Sequence, residues 1–563
     1  MADGEASTVV QLQIAFAGHS RPRDLGDEAE IERKLAEVLK RLRQAGVTRA
    51  RLLTGLAVGA DRIAAGLWRL NGMGPVHAVL PFLSDSAEEV GLARLAQTAT
   101  WLDGDQAHGQ GCNPHLVQTR WMLAHADLLV VVWNGLEGRG AGGTADAVRV
   151  ALEAGTPIVW LNPRDEGARI IRRPSLYDPV GFLELREALL AGRGSIVTDA
   201  DVDALREALD LEPDHPHLAR TPPGRIDRWL HRWLWRTFAW FQRAVGGPLE
   251  PTTWRSLPIP KDLASQPGFM AIREAFEAAD AHAGRLAAIH RSEQILLLGA
   301  AVFAATIGAT PFFYYGLKAP AIVAELLLAL AAFAVWRFSA RARWHDKWTS
   351  ARRLAEHLRL FMGGWALGVP TGRAGAGALR QEHRRLGRST LRQAEPVQGR
   401  FDAERVRAWA TWALNELVHG QADYHRREGR RNQRIAHAIE RLENGSFAVF
   451  VLVLGGAAIA ALWGWLTHQH PPSLAMATAG AVGVIVPAIG AAAMALEAKF
   501  QFEEQTERSA VVADRLEKLA SELPGDLNLE AAQMALRATA ELLVAEADQW
   551  QEGGRRRRLF RGG

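Results

Sequence analysis

Four apolar runs dominate the hydropathy pattern of the chain. Residues 295–315, 447–466 and 474–496 carry no charge, and 319–336 carries one, Glu325. A hydrocarbon core ~30 Å thick needs ~20 helical residues at ~1.5 Å each. A buried helix of a soluble protein would carry a polar stripe, and these runs have none. They predict four transmembrane helices in two tight hairpins, joined near 316–318 and 467–473. The second connection holds no Lys or Arg, whereas Arg285, Arg291, Arg337, Arg341, Arg343, Arg427, Arg430, Arg431 and Arg434 flank the hairpins on the other side. That asymmetry places both termini and the segment between the hairpins in the cytoplasm. Trp336, Trp463 and Trp465 stand where interfacial anchors stand.

The layout repeats. Ala279-Asp280-Ala281-His282 precedes the first hairpin and Ala422-Asp423-Tyr424-His425 the second. A long amphipathic stretch follows each hairpin, one containing ARRLAEHLRL and the other SAVVADRLEKL. Two helix–hairpin–helix units in the same membrane orientation account for this, as parallel repeats do; chance likeness between Ala-rich helices is the rival explanation.

The pattern changes over residues 9–165, where short β-rich runs alternate with helical periodicity. Strands are predicted at 9–16, 51–54, 76–80, 128–133 and 158–161. Helices are predicted at 28–44, 61–70, near 87–98 and near 114–125. Such alternation predicts a doubly wound, Rossmann-like α/β domain. In that architecture ligands bind beyond the carboxyl ends of the strands.

The chemistry-bearing residues fall at those ends. The first strand runs into Gly18-His19-Ser20-Arg21. The second runs into Gly55-Leu56-Ala57-Val58-Gly59-Ala60-Asp61. The 128–133 strand runs into Asn134-Gly135, followed by Gly142-Gly143-Thr144-Ala145-Asp146. Glycines let backbone approach a ligand closely. The helix N-termini that follow offer free N–H groups and a positive dipole end to an anion. A single such loop is ordinarily a turn; three on one sheet predict a nucleotide-like or phosphate-bearing ligand. Asp61 fits either a ribose contact or a helix cap, and His19 either a ligand contact or a plain turn.

Two runs carry a family resemblance. TGLAVGADRIAAGLW (from Thr54) is similar to the Gly-Leu-Ala-x-Gly-x-Asp signature of the DprA/SMF proteins. ADLLVVVWNG followed by GGTADAVRVALEAGTPIVWL (from Ala126) resembles the second half of the SLOG superfamily, which unites DprA/SMF with the LOG nucleotide hydrolases. The resemblance covers residues 9–165 and implies a sensor of nucleotide-derived signals in bacterial defence. The hairpin units resemble the SLATT class of two-transmembrane effectors by architecture. The LOG motif Pro-Gly-Gly-x-Gly-Thr-x-x-Glu is altered here: Ala147 stands where its Glu would be, and Asp146 lies one place earlier. The resemblance therefore implies retained binding and no assigned catalytic residue. A membrane-anchored nucleotide N-glycosidase using Asp146 is one alternative, and a scaffold that binds no ligand is another.

Composition adds exclusions. The chain has 563 residues, 48% hydrophobic, with a net charge of only +4. That balance does not favour a nucleic-acid partner, and no basic groove interleaved with stacking aromatics accompanies the loops. One cysteine, Cys112, excludes an internal disulfide and lacks a nucleophile signature. His108, Cys112, His115 and Asp127 are too scattered for a zinc set, and no metal or cofactor is predicted. Arg225–Phe241 interleaves Trp229, Trp233, Trp235 and Trp240 with arginines; it fits an interfacial helix or a surface packed on the α/β domain. Arg555 to Arg558 fits either an anionic lipid surface or a solvated tail. Glu325 is the candidate pore residue, and Ala479, Gly483 and Gly490 would allow close helix approach.

The expected plan is a nucleotide-sensing domain over 1–200, a Trp/Arg-rich linker over 201–278, and two helix–hairpin–helix units over 279–421 and 422–563. The expected protein is a multi-pass effector of the bacterial inner membrane, homo-oligomeric, with lipids and a small nucleotide-derived ligand as partners.

Overall fold

The structure is a computed structural model. It describes residues 12–20, 26–82, 94–102, 113–137, 142–165, 167–171, 197–209, 234–369, 387, 389–390, 392–468, 473–523, 525 and 527–559, with side chains described up to 546. The N-terminal part is a mixed α/β sheet domain. The C-terminal part is helical, with four helices long and apolar enough to cross a membrane.

The sheet holds nine strands among the described residues. They are β1 (Leu12–Gly18), β2 (Ala50–Thr54), β3 (Val76–Leu80), β4 (Thr98–Leu102), β5 (Leu128–Val132), β6 (Ile158–Leu161), β7 (Ala168–Ile171), β8 (Val197–Asp199) and β9 (Gly399–Phe401). Their order is β8-β7-β6-β5-β1-β2-β3-β4-β9. Pairing is parallel from β6 to β9 and antiparallel at β7 and β8. The central strands are apolar on both faces because helices cover both. Helices α1 (Glu28–Gln44) and α2 (Ala60–Leu70) cover one face through Ile31, Leu35, Leu42, Ala64 and Trp68. On the other face α3 (Pro114–His125) and α4 (Thr144–Ala154) bring Leu123, Val148 and Ala151 against Ala15, Leu129 and Val131. Helix α1 starts where Asp27 accepts from the Ala29 N–H at 3.1 Å; α3 starts where Asn113 caps and Pro114 takes the first turn. A short α5 (Val202–Leu209) closes the α1 side.

Four strands, β4, β7, β8 and β9, fall outside the sequence pattern. The helix expected near 87–98 covers residues 87–93, outside the described set, and its end at Thr98 opens β4 instead. Strand β9 comes from between the two hairpins and pairs Thr100 with Gly399 and Leu102 with Phe401. Three residues, GRF, carry no alternation that a sequence could reveal.

The helical part begins with α6 (Thr237–Gly246). Next come α7 (Pro267–Ala309), α8 (Lys318–Ala342) and α9 (Trp344–Gly364). Helix α10 (Ala403–Leu414) leads through a π-turn at Asn415–His419 into α11 (Gly420–Thr467). Then come α12 (Ser473–Phe500), α13 (Phe502–Glu522) and α14 (Leu529–Leu559). The first apolar hairpin is α7–α8 and the second α11–α12. Each downward helix ends at one non-glycine residue in the left-handed region, Arg343 at φ 51° and Gln501 at φ 50°. There the chain folds back, so that α9 lies on α7 and α13 on α11. Between the hairpins α7 packs on α12, giving the row α8-α7-α12-α11. In that row Phe312 lies over Gly480, and Lys499 donates to Gln294.

Below the spans, polar contacts tie α9 to α7 and to the start of α11. Arg352 reaches Asp280 at 3.0 Å, and Arg359 reaches Glu356 at 2.8 Å and Gln421 at 3.2 Å. The described part of the Trp/Arg-rich segment packs on these stems. The Phe238 N–H donates to Ser292 Oγ at 3.1 Å, Arg291 lies over the Phe238 ring, and Trp240 faces outward.

One apolar core spans both parts. Val79, Leu102, Val117 and Trp121 of the α/β domain pack with Phe269, Trp365, Phe401, Trp409, Leu516 and Leu536. Polar bonds cross the same boundary. Arg51 pairs with Glu395 at 3.0 Å and Arg392 with Asp127 at 3.5 Å; Thr100 Oγ1 donates to the Val397 carbonyl.

Candidate functional site

The chain passes from β1 through β4 in one direction and from β5 to β6 in the other. The order therefore reverses between β1 and β5, where Gly18 stands opposite Val132. Backbone beyond those two strands is joined by one side chain. The Asn134 N–H donates to His19 Nε2 at 3.0 Å, so this imidazole carries its proton on Nδ1. Asn134 Oδ1 accepts from the Leu136 N–H at 3.1 Å, and Trp133 Nε1 donates to the Leu136 carbonyl at 2.7 Å. The loop after β5 is thus held by its own side chains.

The loop after β2 closes on Asp61. Thr54 Oγ1 donates to Asp61 Oδ2 at 3.1 Å, and the backbone N–H groups of Gly18, Gly55 and Ala57 also point at that carboxylate. Asp61 is buried and does not cap α2, whose N-cap is Gly59 with no side-chain bond. Burial pushes its pKa up to about 7, against the pull of the Thr54 hydroxyl and the three N–H groups. Its part in the geometry is to hold the ends of β1 and β2 together from inside.

Glycines interlock the loops. A Cβ on Gly18 would stand 2.5 Å from Ala60 Cβ, and one on Gly59, at φ 106°, 2.8 Å from the His19 carbonyl oxygen. A Cβ on Gly55 would meet Gln118 Nε2 at 2.5 Å.

The last loop rests on α3. Gly142 lies at φ 83°, 2.7 Å from the Leu116 nitrogen measured from a built Cβ. Asp146 Oδ2 accepts from the Gly142 N–H at 2.7 Å, and Oδ1 accepts from Arg149 at 2.7 Å. Both oxygens of Asp146 are therefore engaged within the loop and first turns of α4. Gly143 is the N-cap of α4 and makes no side-chain cap; Thr144 opens the helix. Gly18, His19, Gly55, Gly59, Asp61, Asn134, Gly142, Gly143, Thr144 and Asp146 thus belong to one cluster at the carboxyl ends of the strands. Arg21 lies outside the described residues.

Three residues of the cluster carry no motif. Asn113, His115 and Gln118, on and before α3, form the floor under Gly55 and Gly142. Gln118 Nε2 donates to the Val79 carbonyl at 2.6 Å, and Asn113 Oδ1 accepts from the His115 N–H at 3.0 Å. Asn113-Pro114 is legible as a helix start; its contact with Gly142 is not.

Neither α2 nor α4 has a side-chain cap; the Ala60 N–H donates to the His19 carbonyl at 3.3 Å and the Asp146 N–H to the Gly143 carbonyl at 3.0 Å, and the positive dipole ends of both helices lie at the loop cluster. This arrangement suits an anion. Among the described residues no group of three His, Cys, Asp or Glu side chains could hold a metal ion. A separate cavity of about 350 Å³ lies behind α4, between Val150, Glu153 and Arg120 and the last helix at Met534, Arg537 and Val544. Its wall includes Arg537 Nη1, 3.1 Å from Glu153 Oε2, which joins the far end of α4 to α14.

Glu325 sits apart from all of this, on α8, with its carboxylate against the backbone of Gly308 on α7.

No protein-family model, curated protein or solved structure matches the chain.

The inward Asp61 gives the cluster a pH dependence. Its folded pKa lies above the usual carboxylate value, so the folded state holds the extra proton more tightly. The stabilisation is full below about pH 4 and is lost as pH rises through about 7. Asp61→Asn is uncharged throughout. Melting temperatures measured at about pH 5 and about pH 8 should shift in the variant's favour at the higher pH. A gap that does not move with pH would show that Asp61 is not the titrating group.

Proposed function

We propose that this chain is a membrane effector governed by a nucleotide-type signal. In this reading the α/β domain is a doubly wound, SLOG-type sensor, and the two hairpin units are SLATT-like. The membrane is the bacterial inner membrane, with both termini cytoplasmic. The observation that carries the reading is the loop cluster. The loop before α2 packs on the end of β1 and the loop before α4 packs on the start of α3, both at the carboxyl ends of the strands beside the point where the strand order reverses, which is where open α/β sheets take their ligands. The ligand class is a small anion with a ribose or base attached, and the effect is a change in membrane permeability.

Coupling needs the ligand to favour one arrangement of the spans over another. Two contacts already described support it: the Glu153–Arg537 pair at the far end of α4, and the core that joins α3 to the stems. The engaged carboxylate of Asp146 favours binding over N-glycosidic hydrolysis, since a general acid or base needs an oxygen free for the substrate.

The test is recovery of ligand. Detergent-solubilised protein would be incubated with a bacterial nucleotide extract, washed, and its bound molecules identified by mass spectrometry. Wild type is expected to return an intact nucleotide, and Gly143→Glu, which places a carboxylate at the N-cap of α4, is expected to return none. A recovered base or ribose phosphate would move the assignment to hydrolysis. An empty, folded wild type would leave a scaffold.

A further inference from the structure

The repeat contains an interface used once within the chain and left open at both ends. Helix α7, the first of unit one, packs on α12, the second of unit two. The equivalent partners are α11, the first of unit two, and α8, the second of unit one. They stand at opposite ends of the row α8-α7-α12-α11. Both present large apolar side chains outward: Ile322, Leu326, Leu330 and Phe333 on α8, and Leu452, Ile459 and Leu462 on α11.

We infer that chains assemble head to tail, α11 of one against α8 of the next, in a closed ring that continues the internal α7–α12 contact. A heterologous contact of this kind gives a ring where its rotation closes and an open array where it does not, and a membrane plane favours the ring. The lower ends of the two helices support the register. Lys499, two residues before the left-handed Gln501, donates to Gln294, which is twelve residues after His282. The equivalents are Arg341, two before the left-handed Arg343, and His437, twelve after His425; both are exposed. Arg337 and Arg341 end the apolar part of α8, and Glu440 and Glu443 precede that of α11. Arg441 lies between those two carboxylates, so the α11 edge sets two acidic groups and one basic group against Arg337 and Arg341. A twofold contact would set α8 against α8 and bring the arginines together, which like-charge repulsion opposes.

This inference rests on the membrane reading of the spans and is independent of the ligand. It is tested in native membranes by cysteine cross-linking, in a Cys112→Ala background. Phe338→Cys on α8 and Ala438→Cys on α11 take the positions equivalent to Leu496 and Ile295, which belong to one apolar cluster in the internal contact. Oxidation of the double variant is expected to give dimers and a ladder ending at one largest band, and each single variant only monomer. Arg341→Glu is expected to weaken the ladder severalfold, and Arg341→Glu with Glu440→Arg to restore it. A dimer from either single variant would replace the ring by a twofold contact. A double variant that stays monomeric while resisting carbonate extraction would leave these faces to lipid and overturn the inference. Protein lost on carbonate extraction would instead fail the membrane reading itself.

Discussion

Trp121→Ala is expected to loosen the α/β domain from the membrane stems. The side chain is fully buried in the core shared by both parts. It stacks on His77 at 6.1 Å between centroids, lies 4.1 Å from His125, and meets Phe401 of β9 edge-on at 6.5 Å. Gly368, at φ 72°, approaches so closely that a Cβ there would stand 2.5 Å from the indole. Removing a buried Trp costs about 3–5 kcal/mol when neighbours relax only partly. The neighbours here belong to three chain segments, so collapse around the void would need all three to move. Trp121→Phe is expected to cost much less. The indole Nε1 has no hydrogen-bond partner among the described residues, so the replacement loses volume and no bond. Hydrogen exchange over 114–125 and 399–414 would read the effect: fast in the alanine variant, near wild type in the phenylalanine one. Unchanged protection in Trp121→Ala would mean that the two parts are held by their polar bonds alone.

The second large effect is expected at Gly142. Valine there meets two obstacles. A β-branched residue in the left-handed region costs about 1–3 kcal/mol in backbone strain. Its Cβ would also stand 2.6 Å from His115 Cβ and 2.7 Å from the Leu116 nitrogen, and the latter belongs to the first turn of α3 and cannot swing aside. The loop would shift, the Gly142 bond to Asp146 would break, and the N-terminus of α4 would lose its place. Ligand recovery is expected to vanish while membrane association stays intact. Gly72→Ala is the control. Gly72 is also left-handed, at φ 58°, but a Cβ there meets nothing within 4 Å. It tests strain without overlap, away from the cluster, and is expected to bind as wild type does. If both variants lose the ligand, general loss of stability is the cause; if neither does, the Gly142 loop is not part of the site.

Much of this arrangement was legible in the residues, for reasons that differ by region. The apolar hairpins were plain because a membrane leaves no polar stripe to confuse the period. The runs at 76–80 and 158–161 read as strands because a sheet covered on both faces makes them continuously apolar. The loop cluster was readable through its glycines, which tight backbone approach requires. The failures were of two kinds. Strands β7, β8 and β9 have only three or four residues and lie towards the two edges of the sheet; β4, as long as β2 and β3, begins at Thr98, where the residues read as the end of a helix. Asp61 and Asp146 were legible as acidic residues at helix starts, but not as side chains turned inward onto backbone N–H groups. That direction depends on Gly18 and on Gly142, placed by other parts of the fold.

Strand β9 also imposes an order on biosynthesis. The sheet needs Gly399–Phe401 to cover the outer edge of β4, yet the first hairpin is made before those residues. During translation the α/β domain must therefore wait with an open edge while α7 and α8 are made. An open edge is a template for pairing with other chains. A fragment ending before the first span would keep that edge for good, and with it the exposed half of the shared core around Trp121. Such a fragment is expected to aggregate, whereas the whole chain seals its α/β domain only after the first apolar hairpin has been made.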